Sequence, residues 1–234
     1  MIEIKNVTKK YGDKKALKDI TFNVEDGEIF AFIGHNGAGK TTLIKAITGI
    51  HDFDEGDILI NGKSIKDAPI ACKKEMAYVP DNPELYENMK AIDFINFICD
   101  MYEVPQNVRE KNIKKYAETF EIEQNLGDEI SSFSHGMKQK VALIAALAHD
   151  PKVLIMDEPF VGLDPKAVFD MKEVMKKMVA EGKTIFFSTH ILDVAEKLCT
   201  RVAIIKKGEL IKVGSMRTVK GDKSLEKIFL ELEK

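Results

Sequence analysis

Cysteine is scarce in this sequence, and its scarcity excludes two classes of protein. The three cysteines, Cys72, Cys99 and Cys199, are widely spaced, odd in number and without nearby pairs of histidines. A small secreted domain held by disulfides needs a denser and even set, and a zinc site needs ligands at short spacings. We expect all three cysteines to be buried as small apolar side chains.

Long apolar runs are also missing. The longest run, VALIAALA at residues 141–148, is far below the roughly 20 apolar residues that span a bilayer. The first residues, MIEIKNVTKKYG, mix charged with single apolar residues and lack the apolar core of a signal peptide. The sequence therefore predicts a cytosolic protein, and another chain must supply the span if it works at a membrane.

A strong charge of either sign is absent as well. The formal net charge is −3, which gives no electrostatic reason to expect a nucleic acid partner. The composition, 44% apolar and 31% charged, is typical of a globular protein. Repeats, low-complexity tracts and an obvious linker are missing, so the 234 residues predict one core that carries a subdomain.

The N-terminal part is rich in strand patterns. Apolar residues alternate in residues 1–8 and 17–34, and the closing stretch IFAFIG is continuously apolar, which predicts a central strand. Asn61 and Gly62 stand between two strand-like runs, a strong signal for a two-residue hairpin. We therefore predict antiparallel pairing in this region.

Residues 83–150 change to a helical period, which predicts an inserted helical subdomain. Two apolar stripes mark its helices, and plain core packing is the interpretation we favour for both. The first stripe contains Phe94, Phe97, Ile98 and Met101, and the second contains Ile113, Ala117 and Phe120.

The rest of the chain predicts a parallel sheet. The apolar runs KVLIMDEP and KTIFFSTH flank an amphipathic helix and so form a β-α-β unit. The inner residues of that helix are Val168, Met171, Val174, Met175 and Met178. A strand at 202–205, a turn at Lys207 and Gly208, a strand at 209–213 and a helix at 225–232 follow.

A phosphate-binding loop stands directly after the strand IFAFIG and before a helix. Its residues are Gly34, His35, Asn36, Gly37, Ala38, Gly39, Lys40, Thr41 and Thr42. The glycines let backbone N–H groups point at phosphates, and the following helix adds its partial positive charge. Lys40 should reach the β- and γ-phosphates of a nucleotide, and Thr41 its magnesium ion.

Two acids end the buried strand VLIMD, where an open parallel sheet binds its ligands. Asp157 would hold magnesium, and Glu158 could polarise the water that attacks the γ-phosphate. The guanine-reading sequence NKxD does not occur. Tyr11 could instead stack on adenine, or it could be an ordinary aromatic at the end of a strand.

The phosphate loop, SFSHGMKQK, IMDEP, GLDP and STH occur in one order along the chain. In this arrangement the sequence resembles the ATP-binding subunit of an ATP-binding-cassette (ABC) transporter over essentially its whole length. Within that family it is most similar to efflux and antibiotic-resistance subunits, which share the form SxGMKQK. The resemblance implies an α/β fold with a P-loop NTPase core, a mostly parallel sheet, an N-terminal antiparallel β subdomain and an inserted helical subdomain. We expect one domain over 1–234, with its core in 1–82 and 151–234 and the helical part in 83–150.

The resemblance also gives a role to the stretch around Ser134. Residues 133–137 match the family's signature, in which Ser134 and Gly136 of one subunit close over the γ-phosphate held by another. Ser134 could equally cap its own helix, and the two roles are compatible. His135 and Met137 depart from the usual signature, and we expect both changes to be tolerated.

Three further residues match family positions. Asp164 matches the loop that touches the opposite site, and before Pro165 it is also a good helix cap. His190 matches the histidine that contacts the γ-phosphate. Asp81 stands where the family usually has a glutamine that reaches magnesium and the attacking water. An ionised carboxylate binds metal but donates no hydrogen bond, so we expect altered metal or nucleotide affinity.

The function predicted from the sequence is an MgATPase that dimerises around two ATP molecules and drives a separate membrane chain, as an exporter. Lys40, Asp81, Glu158 and His190 are its predicted catalytic residues. ATP and Mg²⁺ are the predicted cofactors, and Thr41, Asp81 and Asp157 the predicted metal ligands. The expected place of action is the inner face of the cell membrane. Two alternatives remain open: a regulatory subunit with little turnover, motivated by Asp81 and His135, and an ABC ATPase without a transport role, which normally carries a coiled-coil insertion or a second cassette.

The resemblance places the docking groove for the membrane chain after Asp81. Leu85 and Tyr86 follow in a proline-flanked loop, and we predict that both are exposed there as an interface. The alternative is that both fold inward onto Phe94 or Phe97.

Overall fold

The computed structural model describes the backbone of residues 1–233 and the side chains of residues 1–231. Its strands are β1 (Ile2–Tyr11), β2 (Lys14–Val24), β3 (Ile29–Ile33), β4 (Glu55–Ile60), β5 (Lys63–Ser64), β6 (Met76–Val79), β7 (Val153–Asp157), β8 (Thr184–Thr189), β9 (Arg201–Lys206) and β10 (Glu209–Ser215). Its helices are α1 (Lys40–Ile47), α2 (Pro69–Glu75), α3 (Ala91–Met101), α4 (Gln106–Thr119), α5 (His135–Ala148), α6 (Pro165–Ala180), α7 (Leu192–Leu198), α8 (Met216–Lys220) and α9 (Leu225–Glu233). The fold is therefore of the α/β class.

A four-stranded antiparallel sheet forms from the N-terminal part, in the order β2-β1-β4-β5. The β4–β5 hairpin turns at Asn61 and Gly62, whose φ angles of 48° and 78° suit a tight two-residue turn. Lys207 and Gly208 make the same kind of turn between β9 and β10, with φ angles of 48° and 80°. Both predicted hairpins are confirmed.

A second sheet of six strands has the order β10-β9-β3-β8-β7-β6, parallel except for the edge strand β10. All five residues of β3 are buried between β8 and β9, which confirms the predicted central strand. Ile33 pairs with Thr189, and Asp157 pairs with Ser188. This register brings the carboxyl ends of β3, β7 and β8 to one edge of the sheet.

The two predicted helical stripes differ in outcome. Ile113, Ala117 and Phe120 are buried, so the second stripe is confirmed. In the first stripe Phe94 is buried, but Phe97 is 39% exposed and Met101 is 64% exposed, so the prediction of core packing was wrong for these two. The buried stripe of α3 runs instead through residues at helical spacing toward α5: Ala91, Phe94, Ile95 and Cys99.

The remaining packing follows the sequence pattern. Met171, Met175 and Met178 of α6 are buried, and Val168 and Val174 lie partly buried beside them. All three cysteines are buried and make no disulfide, as predicted. Within the described residues, none of the helices combines the length and the apolar character that crossing a membrane requires.

Candidate nucleotide site

The phosphate loop connects the end of β3 to the start of α1, where the sequence places it. Gly39 has a φ of 116°, and a Cβ there would lie 2.8 Å from the carbonyl oxygen of Ala16. A Cβ on Gly34 would lie 2.7 Å from the carbonyl oxygen of Ile205. Both positions therefore require glycine, because the loop passes so close to neighbouring backbone.

Lys40 lies buried inside this loop. Its Nζ donates hydrogen bonds to the carbonyl oxygens of Gly34, at 2.7 Å, and His35, at 3.3 Å. The same atom lies 3.3 Å from Oε1 of Glu158, an oxygen that makes no hydrogen bond of good geometry. The ammonium group is therefore held at the centre of the loop by groups that a phosphate oxygen could replace.

Asp157 and Glu158 occupy the adjacent strand end. Asp157 is the last residue of β7, is buried, and accepts a hydrogen bond from the Ser188 hydroxyl. Glu158 has a φ of 48°, a left-handed conformation that costs a non-glycine residue free energy. Its N–H donates to Ser188 Oγ at 3.1 Å, which helps to hold this conformation. Ser188, part of the motif STH, thus contacts both acids, a role that was not predicted from the sequence.

His190 follows β8 and lies against Glu158. Its Nδ1 is 3.0 Å from Glu158 Oε2, and its backbone N–H donates to the same oxygen at 3.2 Å. Glu158 is therefore held between Lys40 on one oxygen and His190 on the other. The imidazole itself is 51% exposed.

A cavity of about 690 Å³ joins most of the predicted residues. It is lined by Tyr11, His35, Asn36, Gly37, Gly39, Lys40, Thr41, Thr42, Asp81, Asp157 and Glu158, together with Lys14, Lys15, Ala16, Lys18, Lys207 and Gly208. Gly34 and Ala38 are buried in the loop behind it. Five lysine side chains on the wall favour an anionic ligand.

Asp81 is a carboxylate on the wall of this cavity. Partial burial raises its pKa, the negative charges of Asp157 and Glu158 raise it further, and His135 and His190 act in the opposite direction. Among the described residues, no group of three or more histidine, cysteine, aspartate or glutamate side chains is arranged to hold a metal ion.

Tyr11 ends β1, lines the cavity and is 48% exposed. Its hydroxyl lies 3.0 Å from Nδ1 of His51, and the Lys9 ammonium lies 5.2 Å from the centre of its ring. His51 was not predicted from the sequence as a site residue, because it belongs to none of the motifs.

Ser134 and Gly136 do not line the cavity; they stand at the exposed start of α5. The Ser134 hydroxyl accepts a hydrogen bond from the N–H of Met137 at 3.3 Å, so its capping role is confirmed. A Cβ on Gly136 would lie 2.8 Å from the carbonyl oxygen of Gly162, which gives this glycine a packing reason.

Asp164 caps α6 and links it to α5. Its Oδ1 accepts a hydrogen bond from the N–H of Ala167 at 2.8 Å, and its Oδ2 lies 3.0 Å from Lys140 Nζ. The Ala167 N–H and then the Lys140 ammonium lower the pKa of Asp164. The predicted cap is therefore confirmed, with Pro165 at the first helical position.

Gln139 lies on α5, about one turn after Gly136, and was not predicted from the sequence as a residue of interest. Its side chain is fully buried, and neither amide atom has a hydrogen-bond partner among the described residues. Burying an amide without a hydrogen-bond partner costs free energy. The Gln139 side chain therefore destabilises the present arrangement of the loop and helices.

The two residues of the predicted docking loop differ in exposure. Leu85 is partly buried against the helical core, so the expectation that it is exposed was wrong. Tyr86 is 59% exposed, with its ring centre 5.8 Å from that of Phe97. Beside them lies a groove of about 200 Å³, with Pro83, Leu85, Phe94, Tyr102 and His149 among its walls.

Comparison with known proteins agrees with this geometry. The family model of ABC transporters matches residues 17–161. The linearmycin resistance ATP-binding protein LnrL of Bacillus subtilis is 35% identical over 215 residues, which are 92% of this chain and 69% of that protein. The ABC-type transporter ATP-binding protein EcsA of the same organism is 33% identical over 239 residues, covering 100% of this chain and 97% of that protein.

Solved structures give the same answer. The structure of an ATP-binding subunit of an ABC transporter has a TM-score of 0.96 at 35% identity and covers 100% of both chains. A dimeric ATP-binding cassette in a post-hydrolysis state, bound to ADP and Pi, has a TM-score of 0.85 at 26% identity over 93% of this chain and 99% of that one. CbiO1 of Clostridium perfringens, part of the transporter complex cbiONQ, has a TM-score of 0.80 at 28% identity over 100% and 98%. The chain therefore belongs to the ABC transporter family and is an ABC-type ATPase.

Proposed function

We propose that this chain binds MgATP, dimerises head to tail around two ATP molecules, and drives an exporter whose membrane span is a separate chain. The observation that carries the proposal is the placement of Glu158 between Lys40 and His190 at the wall of a lysine-lined cavity. These groups suit phosphoryl transfer to water, which depends on positioning and on compensation of negative charge.

The chemistry follows from what a γ-phosphate would displace. Lys40 and His190 now contact the two oxygens of Glu158. Phosphate oxygens entering between them would take both contacts and leave the carboxylate of Glu158 free to accept a proton from water. Glu158 thus acts as the general base, while Lys40 and His190 stabilise charge on the phosphate.

Thr41, Asp157 and Asp81 would hold magnesium in this site. Their hydroxyl and carboxylate oxygens are the donors that this cation prefers, and the nucleotide's phosphates supply further oxygens. When bound, magnesium neutralises charge that develops on the phosphates. Asp157 is already oriented by the Ser188 hydroxyl, and Tyr11 offers its exposed ring to the adenine.

In the proposed dimer, the exposed start of α5 contributes to the partner subunit's nucleotide site. Ser134 and Gly136 lie outside this chain's own cavity, while the capped helix start offers a hydroxyl and N–H groups to an anion. In the proposed dimer they close over the phosphate held by the partner subunit, and Asp164 contacts the same interface. The dimeric relative bound to ADP and Pi supports this arrangement.

An exposed apolar surface supports a membrane partner. Tyr86, Phe97 and Met101, which we call the α3 face, are all exposed, and Phe97 and Met101 stand one helical turn apart. Exposed apolar patches mark interaction sites. We propose that the α3 face and the adjoining groove, within a helical subdomain at 83–150, receive the membrane chain at the inner face of the cell membrane. The resistance protein LnrL supports export.

Replacing Glu158 tests the catalytic part of the proposal. We expect the purified chain to hydrolyse ATP slowly with magnesium, and Glu158→Gln to bind ATP, lose turnover by about 10²-fold or more, and accumulate as a dimer. ATPase assays and size-exclusion chromatography with ATP measure both effects. Glu129→Gln, an exposed change on the helical part, serves as the control. A Glu158→Gln variant that stays monomeric and fully active would contradict the mechanism.

Replacing Ser134 tests the dimer itself. Ser134→Arg should abolish hydrolysis while leaving ATP binding by the monomer nearly intact, because Ser134 lies outside its own chain's cavity and its loss as a helix cap affects stability instead. Ser132→Arg, two residues earlier and also exposed, provides the matched control. Loss of ATP binding by monomeric Ser134→Arg would show that this stretch acts on its own chain's nucleotide.

A further inference from the structure

The C-terminal helix α9 lies against α7 and α8. Leu225, Ile228 and Phe229 form its buried side. The N–H of Leu225 donates to Glu196 Oε2 of α7 at 2.8 Å, and the other oxygen of Glu196 pairs with Lys220 of α8. Helix α9 is therefore anchored at its first turn.

Phe229 of this helix contacts the phosphate loop. Its ring centre lies 4.6 Å from that of His35, and the two rings are tilted by 56°. Phe229 is only 7% exposed, so the contact forms part of a packed surface. Aromatic pairs at this distance add stabilisation beyond the burial of their area.

His35 is suited to carry this contact into the loop. The other residues at positions 34–39 are glycine, alanine or asparagine, so His35 is the one loop residue with a ring. Its carbonyl oxygen accepts hydrogen bonds from Lys40 Nζ at 3.3 Å and from the N–H of Ala38 at 3.1 Å. A contact that restricts the His35 side chain therefore also restricts the backbone of the residue whose carbonyl oxygen holds Lys40.

Helix α9 is also linked to His190 through α7. Helix α7, on which it packs, begins two residues after His190, the histidine that contacts Glu158. A glycine-rich loop has much backbone freedom to lose when it binds phosphate, and fixing it beforehand reduces that cost. The residues matched by the family model end at 161, well before α9.

We propose that Phe229 is a positioning residue of the nucleotide site: through His35, helix α9 holds the phosphate loop in the conformation that accepts nucleotide. This inference rests on the proposed function, because it assumes that ATP binds in this loop. Phe229 acts on binding, while Lys40, Glu158 and His190 carry the chemistry.

The test compares variants of the full chain in their dissociation constants for MgATP and in their steady-state kinetics. Phe229→Ala should weaken ATP binding and raise KM by about 2- to 10-fold, the range that the loss of one aromatic pair supports. The value of kcat should remain within about twofold, because the loss is in binding alone. Phe229→Tyr keeps the ring and should restore both values.

Two controls separate positioning from stability. Ile228→Ala removes a similar buried side chain from the same helix and should lower the melting temperature while leaving ATP affinity unchanged. His35→Ala should weaken ATP binding as much as Phe229→Ala, and the double variant should be no weaker than either alone. If Phe229→Ala does not fold, Phe229→Leu keeps apolar bulk without the ring and should show the same weakening.

The inference is overturned if ring-less Phe229 variants bind ATP like the wild type, if Ile228→Ala weakens binding equally, or if the effects of His35→Ala and Phe229→Ala add. Each of these results leaves ATP binding by the wild type intact, so the proposed function would stand. A wild-type chain that fails to bind ATP would overturn both.

Discussion

At the scale of single residues, the nucleotide site places three carboxyl groups close together, and each is affected by its neighbours. Asp157 accepts a hydrogen bond from the Ser188 hydroxyl, and Glu158 lies between the Lys40 ammonium and the His190 imidazole. Asp81 adds a third carboxyl group to the same wall, and its raised pKa reflects burial and these two neighbours. A glutamine in its place would add no charge, so the aspartate should change how the site divides its affinity between metal and nucleotide.

Replacing Asp81 by asparagine tests this balance. We expect Asp81→Asn to bind ATP in the presence of EDTA about 3- to 10-fold more tightly, because one negative charge beside the phosphates is removed. The same variant should need a higher magnesium concentration for half-maximal ATPase activity, because an amide is a weaker ligand than the carboxylate that we propose for this metal. Titration calorimetry and a magnesium dependence of the rate measure the two effects.

The pH dependence provides a second readout of Asp81. As the pH rises through its raised pKa, the wild-type carboxyl group ionises, so affinity for metal-free ATP should fall over that range. Asp81→Asn should lack this component. Glu84→Gln, an exposed change in the same loop, should behave as the wild type. Unchanged ATP and magnesium affinities in Asp81→Asn would show that Asp81 stays outside the occupied site.

At the scale of elements, Asp164 joins the start of α6 to α5 through one cap and one ion pair. Asp164→Ala should lower the free energy of unfolding of the nucleotide-free protein by about 0.5–2 kcal/mol, the usual cost of losing a helix cap. Asp164→Asn should retain most of the stability, since asparagine also caps helices. Urea unfolding at neutral pH measures both changes.

Acid should reveal the charge on this cap. Because the folded pKa of Asp164 is lowered, its stabilising contribution is present above the unfolded pKa, about 4, and is lost as the pH falls through the folded value. Asp164→Asn should show no loss from this position. If Asp164→Ala unfolds like the wild type, the residue serves the dimer interface alone.

The sequence predicted those elements that local patterns determine. The phosphate loop with its flanking β3 and α1, both hairpin turns, and the caps at Ser134 and Asp164 depend on a few adjacent residues, and the structure has them. Phe97 and Met101 were misplaced because a periodicity of apolar residues does not distinguish a face that packs inside from one left exposed. Ser188, His51 and Phe229 were missed because their roles depend on contacts between distant parts of the chain.

At the scale of the whole molecule, one short loop connects the nucleotide cavity to the α3 face. Asp81 lines the cavity, and Tyr86, five residues later, lies exposed against Phe97. Leu85 between them packs on the helical core. A shift of this loop on nucleotide binding would therefore be transmitted to the surface that we propose contacts the membrane chain.

Charge on the α3 face should separate coupling from catalysis. We expect Tyr86→Lys combined with Met101→Lys to leave the basal ATPase activity of the isolated chain unchanged, because both side chains are exposed and away from the cavity. Association with the membrane chain, or transport where it can be assayed, should be abolished, since a charge replaces apolar contact area at a desolvated interface. Phe169→Lys is the matched control, because Phe169 is an aromatic residue 62% exposed on α6, outside the α3 face.

Leu85→Lys should instead destabilise the isolated chain, since Leu85 packs inward. Co-purification from membranes and thermal unfolding measure the two classes of effect, and membrane association that survives in Tyr86→Lys with Met101→Lys would place the docking surface elsewhere.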